Sequence, residues 1–333
     1  MSETFTIPAS DFDVRLRKRV DELSAQFADS EEGRNVSDFW RKLVTKHLGL
    51  LGQEGFERFK QTLNFEYAQW CVSAPIDPKL WHMLFTFART AGAPSLFRKA
   101  QYEKGARLPR WIIPSPGAAT VYKTFVSTLW EYALRHDKLG VLDKVEEASL
   151  GSPIPLYHDG KLISQDLALT SLELNRIAKY VDLSSIKTVL EIGGGYGRFA
   201  YVVKKLLPQV EYHIVDIPPA LAVSELYLTT LFGQDNLKFH LPAALKSLPN
   251  RHFDLVLNIS SFDEMKPSQA QAYLAAFAEK GRGTCYIKGH KHRPARTGRR
   301  GIFEFTYPQN FRELYRGGDP FKASFGEMVF RVG

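Results

Sequence analysis

Glu191, Gly193, Gly195, Gly197 and Asp216 have the types and spacing to hold a charged small molecule. Glu191 sits near the end of a short β-branched apolar run, Thr188 to Ile192. Glycines follow, and then an apolar period at Phe199, Val202, Val203, Leu206 and Leu207 that Pro208 ends. Strand, glycine turn and helix in that order put backbone N–H groups of a helix N-terminus against a ligand, and glycine lets the ligand approach the backbone. Two ligands fit such a turn. Gly195 to Ala200 matches G-x-G-x-x-A, the dinucleotide fingerprint, which leads to a nicotinamide oxidoreductase. Glu191 speaks against it, because a carboxylate at the mouth of a pyrophosphate site repels the phosphates. It suits a ligand with an ammonium and a sulfonium but no phosphate, namely S-adenosylmethionine. Asp216 ends the next strand-like run, Glu211 to Asp216. It lies about twenty residues past the glycines, the spacing at which a carboxylate takes ribose hydroxyls.

An acid followed by alternating glycines resembles the first motif of the class I methyltransferases. Methyl transfer to a hydroxyl is an in-line displacement that needs the acceptor oxygen aligned and one proton removed. In an open α/β sheet the site lies beyond the carboxyl ends of the strands. There the run Phe253 to Asn258 delivers Asp263 and Glu264, and the run Thr284 to Lys288 delivers His290 and His292. Glu264 is the first candidate for general base, with its carboxyl raised by partial burial. Asp263 beside it competes with the plainer reading of a turn pair ahead of a helix at Pro267. His290 is the second candidate, since histidine titrates near the working pH. Asp166 is a third. His290 and His292 lie among cations, a poor field for a divalent ion, so a metal is possible but unsupported.

The elements that must place these residues alternate from residue 187 onward. Short apolar strands are expected at 188–192, 211–216, about 237–240, 253–258 and 284–288, with helical connections between most of them. After residue 300, Phe303 to Tyr307, Phe311 to Tyr315 and the run from Gly326 are expected to close the sheet with an antiparallel hairpin. Upstream, Ser164 or Asp166 is expected to cap a helix running to Tyr180 beside the cofactor mouth. The turn-rich residues 150–160 mark a boundary. The N-terminal part, 1–150, reads as mainly helical. It has a helix around Val14 to Phe27, a cap at Ser37, an aromatic stripe from Phe56 to Trp70, pieces punctuated by Pro75, Pro78, Gly92 and Pro94, and a helix from Thr120 to Leu134 after a break at Pro114 and Pro116. These helices are expected to cover the acceptor site or to form a homo-oligomer.

The 333 residues suffice for one large or two ordinary domains. Two cysteines, Cys71 and Cys285, cannot build a disulfide framework, so a reducing compartment is expected, the cytoplasm. The first residues show no basic stretch ahead of an apolar core, and no apolar run approaches a membrane span. Of the formal net charge of +8, six cations lie in residues 288–300, which contain no acid. A nearly balanced chain with one basic segment, and no interleaved aromatics there, does not read as a nucleic-acid binder. That segment fits an anionic acceptor, with Lys288, His292 and Arg293 as contacts beside Asp166.

Most of the chain also resembles one group, the sugar O-methyltransferases of bacterial glycan biosynthesis. The residues are Gly55 to Thr62, Leu129 to Tyr132, Ile163 to Leu167, Asp216 to Leu221 and Asn258 to Phe262, followed by Glu264 and Met265. The region after residue 285 departs most from that group. The resemblance implies a Rossmann-like, seven-stranded α/β catalytic domain over 151–333. It implies S-adenosylmethionine held by Glu191, the three glycines, Asp216, Ile217, Asn258 and Gln165. The implied acceptor is a sugar nucleotide, a lipid-linked glycan or a polysaccharide. A scaffold that had lost its chemistry would have no need of Glu191, the glycines and Asp216.

Overall fold

The structure is a computed structural model that describes residues 9–34, 49, 58–61, 100–106, 108–109, 113, 115–320 and 322–333. Ser37, most of the Phe56–Trp70 stripe, the Pro75–Pro94 pieces and Cys71 lie outside the described residues.

The chain folds as an α/β protein around a seven-stranded sheet. Strand β4, Thr188–Ile192, is buried at every position, so it reads as a continuous apolar run interrupted only by Glu191. It lies between β5 (Glu211–Val215) and β7 (Phe253–Ile259), both parallel to it. The order is β6-β5-β4-β7-β8-β10-β9, with β6 at Leu237–His240, β8 at Gly281–His290, β9 at Phe311–Gly318 and β10 at Phe325–Val332. Strand β10 pairs antiparallel with both β8 and β9, which closes the sheet as expected. Phe303 to Tyr307 takes no part in it. Residues Ile302–Glu304 form a 3-10 turn, with Ile302 fully buried and Phe305 nearly so. The alternation there serves a folded-back segment under the sheet and not a strand.

Helices cover both faces. Helix α1 is Ala9–Ala28 and packs on α5, Pro218–Phe232. Helix α2, Pro116–His136, begins at the proline pair read as a break: Ser115 caps it and Pro116 takes its first position, where no N–H is missed. Helix α3, Gln165–Ile177, is capped by Ser164, whose hydroxyl accepts from the Leu167 N–H at 3.0 Å. Helix α4, Arg198–Leu206, leaves the glycine turn, and α6, Pro267–Lys280, links β7 to β8.

A small sheet joins β1 (Ala100–Tyr102) with β2 (Leu156–His158) and β3 (Lys161–Leu162). It ties chain on the two sides of residue 150. One apolar cluster likewise runs from Leu16 through Leu129 and Trp130 to Val189 and Val329. Packing is therefore continuous across the expected boundary.

Candidate active site

The glycine turn is shaped by what presses on it from below. Gly193 has φ +77°, and a Cβ there would lie 2.2 Å from the Ser261 hydroxyl. Ser261 is held by Asn258, whose amide N–H groups go to Ser261 and to the Ile192 carbonyl (2.7 Å), while its oxygen accepts from the Phe262 N–H at 3.1 Å. Gly197, at φ +91°, starts α4 against Leu228. Gly195 at φ +60° has open space where a Cβ would project, and the turn forms one wall of a cleft at the carboxyl edge of the sheet.

The cleft is acidic. Glu191 is buried, and its carboxylate accepts from the Tyr212 hydroxyl at 2.7 Å. Burial pushes it up to about 7, against the pull of Tyr212 and Arg198. Asp216 accepts from the Gly195 N–H and the Ile217 N–H, both at 2.8 Å, and burial raises it to about 7 as well. A carboxylate has about four lone-pair sites, so two bonds leave Asp216 free to take ribose hydroxyls. Asp166, from α3, accepts from the Tyr196 hydroxyl at 2.6 Å.

One wall of the cleft is a buried ion network. Arg198 grips Glu173 through both terminal nitrogens, at 2.7 and 3.1 Å. Lys288 lies 3.2 Å from Glu173, 2.9 Å from Asp319 and 3.8 Å from Glu327, and Arg176 closes on Glu327 at 2.9 Å. Burial pushes Glu173 up, but Arg198 and Lys288 hold it below the ordinary carboxylate range. The cleft thus presents four carboxylates and two cations. Both cations are already paired with Glu173, so the set fits a sulfonium and an ammonium better than a pyrophosphate.

Past the ends of β7 and β8 stands a second group. Asp263 accepts from His290 Nδ1 at 2.6 Å and from Arg293 Nη2 at 2.7 Å. Burial opposes its charge, yet His290 and Arg293 hold it below the usual carboxylate range. The His290 ring packs on Phe325 with centroids 4.2 Å apart, and Phe325 lines the cleft. Burial lowers His290 from its ordinary value despite Asp263, which keeps the imidazole neutral at neutral pH.

The cleft gathers Glu191, Gly193, Gly195, Asp216, Ile217, Asp166 and Lys288, all expected from sequence. Several expectations need correction. Asn258 is fully buried with its amide spent on the turn, so it frames the cleft without lining it. Gln165 is buried at the start of α3, off the cleft wall. Lys288 is held by three carboxylates and Arg293 by Asp263, so neither is a free cation for an acceptor. His292 is exposed beside Glu304 and Phe303. Glu264 is half-buried off the cleft wall, and burial together with Asp263 raises it to about 8, which leaves it mostly protonated at neutral pH. Sequence reading missed Glu173, Arg198, Tyr212 and Ser261. The signal for Glu173 was present: it follows Asp166 by two helical turns, on one face of α3.

Residues 161–260 match the model of the O-methyltransferase domain family. That span carries an O-methyltransferase domain. The matched span holds β4, the glycine turn and all four cleft carboxylates, Glu191 and Asp216 among them. None of the curated proteins matches the chain. Similar solved structures include a protein of Pyrococcus horikoshii OT3, with 14% identity over 51% of this chain and 92% of that chain and a TM-score of 0.41. A SAM-dependent methyltransferase of Aquifex aeolicus shows 14% identity over 47% and 92%, with a TM-score of 0.34. The mitomycin 7-O-methyltransferase shows 14% over 66% and 74%, with a TM-score of 0.39. Among the described residues, no group of three or more His, Cys, Asp or Glu side chains is arranged to hold a metal ion, and no helix is long and apolar enough to cross a membrane.

Proposed function

We propose that this methyltransferase acts on a hydroxyl of a sugar or glycan, with His290 as general base. The observation that carries the base assignment is the Asp263–His290 pair beside the cleft. S-adenosylmethionine supplies a methyl group on a sulfonium, an electrophile that needs no metal to activate it. Glu191 and Asp216 would hold the donor's cationic end and its ribose, and Gly195 lets it lie against the backbone. Asp263 fixes the histidine tautomer with the proton on Nδ1, which leaves Nε2 to take the acceptor's proton. Arg293 would steady Asp263 and is not itself an acceptor contact.

The acceptor class rests on the resemblance of the Asp216–Leu221 and Asn258–Phe262 stretches to the sugar enzymes. It rests also on the basic loop that follows His290, where Arg296 and Arg300 remain exposed. Such a loop suits a sugar nucleotide, a lipid-linked glycan or an acidic polysaccharide of the bacterial surface, handled in the cytoplasm. The N-terminal part, 1–150, would cover the acceptor. The test is transfer of labelled methyl from S-adenosylmethionine to a panel of sugar nucleotides and acidic oligosaccharides, with neutral oligosaccharides and small phenols beside them. Labelling of phenols alone would sink the sugar reading and leave the methyltransferase standing.

A further inference from the structure

Residues Arg58–Gln61 come from the Gly55–Thr62 stretch and lie more than a hundred residues before the cleft acids, yet they end directly behind the glycine turn. Phe59 is fully buried. Its ring lies 5.2 Å from that of Tyr196 and 5.3 Å from that of Tyr227, and the two tyrosines are 5.7 Å apart. Gly151 makes room for it: a Cβ there would stand 2.2 Å from the Phe59 ring, and the Gly151 carbonyl accepts from the Lys60 N–H at 3.0 Å.

Lys60 is as deeply placed. Its ammonium pairs with Glu147, donates to the Ala148 carbonyl at 2.8 Å and lies over the rings of Tyr227 (5.0 Å) and Tyr196 (5.9 Å). Glu147 in turn accepts from the Ser164 hydroxyl, the cap of α3. Tyr196 stands between Gly195 and Gly197, and its hydroxyl goes to Asp166 on α3. Both Tyr196 and Asp166 line the cleft. The glycines on either side of Tyr196 have positive φ and little intrinsic preference for one conformation. The tyrosine ring is what the surroundings can hold.

We propose that Phe59 and Lys60 are positioning residues for the cofactor: they clamp Tyr196 and so hold the glycine turn in its binding conformation. The N-terminal part of the chain is then a component of the donor site and not only a cover for the acceptor. The proposal rests on the cofactor assignment. A wild-type titration tests that assignment, and the difference between wild type and variants tests the clamp.

S-adenosylhomocysteine is titrated calorimetrically into wild type, F59A, F59L and K60M, and hydrogen exchange of residues 193–198 is followed in each protein without ligand. F59A is expected to lose about tenfold or more in affinity and K60M about threefold to tenfold, or roughly 0.7–1.4 kcal/mol. F59L, which refills most of the space, is expected to stay within about threefold of wild type. Exchange in the turn should quicken in F59A and K60M without ligand. In turnover the loss should appear in the KM for S-adenosylmethionine, with kcat at saturation retained. Unchanged affinity together with unchanged exchange in both variants would overturn the clamp, as would a fall in kcat with KM unmoved. K60M, which removes no ring from the core, carries the test where F59A folds poorly.

Discussion

Cofactor affinity should depend on pH through two of the cleft's acids, Glu191 and Asp216. Glu191 and Asp216 are both pushed up to about 7 by burial. The groups that face Glu191 are the Tyr212 hydroxyl from β5, Arg198 from α4, Glu173 from α3 and Asp216 itself. Asp216 faces the N–H groups of Gly195 and Ile217. Asp216 also raises Glu191, so both protons leave near neutrality. A ligand with a sulfonium and an ammonium binds the ionised pair. At pH 6 about one-eleventh of a group titrating near 7 is ionised, and at pH 8 about ten-elevenths. Affinity should therefore rise about tenfold over that range for one carboxylate, and toward a hundredfold for both. The ligand's own α-amino group titrates near 8, in wild type and variants alike. E191Q removes one site and leaves that background, so its pH profile should be flatter by about tenfold.

Calorimetry from pH 6 to pH 8, in buffers of different ionisation enthalpy, reads the released protons directly. Stability of the ligand-free protein should move the opposite way. A carboxylate raised on folding contributes stability that is complete below its unfolded value, near 4.5, and that is lost as pH rises through about 7. Between pH 6 and pH 8 the loss is about 1.4 kcal/mol per carboxylate, and E191Q should lose less. A flat affinity profile with no proton release would refute this account of the cleft.

Further expectations concern single groups. H290Q should lower kcat by about 10²–10⁴ with S-adenosylhomocysteine affinity unchanged, and D263N should follow it in part, because the base needs its tautomer fixed. Activity in wild type should persist to pH values below the ordinary histidine range, since burial lowers His290, and steady-state profiles would show it. E264Q should keep kcat within about threefold, and a loss as large as that of H290Q would return the base to Glu264. G193A should cost about 2–4 kcal/mol in urea unfolding, from the positive φ and the 2.2 Å approach to Ser261, with part recovered by adding S261G. K288M should cost about 3–5 kcal/mol, because Glu173 and Asp319 would be left buried with a partner missing.

The glycine turn and its acids were legible because their constraints are local. A five-residue apolar strand can only be buried, glycines at 193, 195 and 197 permit the positive φ that each adopts, and an acid near the strand's end faces the turn it precedes. The cap of α3 was equally local, a hydroxyl three residues before the N–H it accepts. Phe303 to Tyr307 misled for a complementary reason. Its alternating aromatics have the strand period, but alternation records only that one side is buried. Here that burial comes from folding back, with a Cβ at Gly301 only 2.3 Å from the Lys291 carbonyl.

Lys288 and Arg293 were misjudged as free cations because a charge count does not see partners. Residues 288–300 hold six cations and no acid, yet two of the six are neutralised from elsewhere in the chain. Asp319 and Glu327 arrive on the β9–β10 hairpin and Glu173 on α3 to take Lys288, and Asp263 arrives past β7 to take Arg293. A buried ammonium without those carboxylates would be costly enough to be excluded from the interior. The depth of Lys288 in a strand whose neighbours Ile287 and Gly289 are buried was therefore itself a demand for distant acids. A lysine inside an apolar strand is better read as half of an ion pair whose other half the fold must supply, and the loop's exposed cations include Arg296 and Arg300, beyond the strand's end.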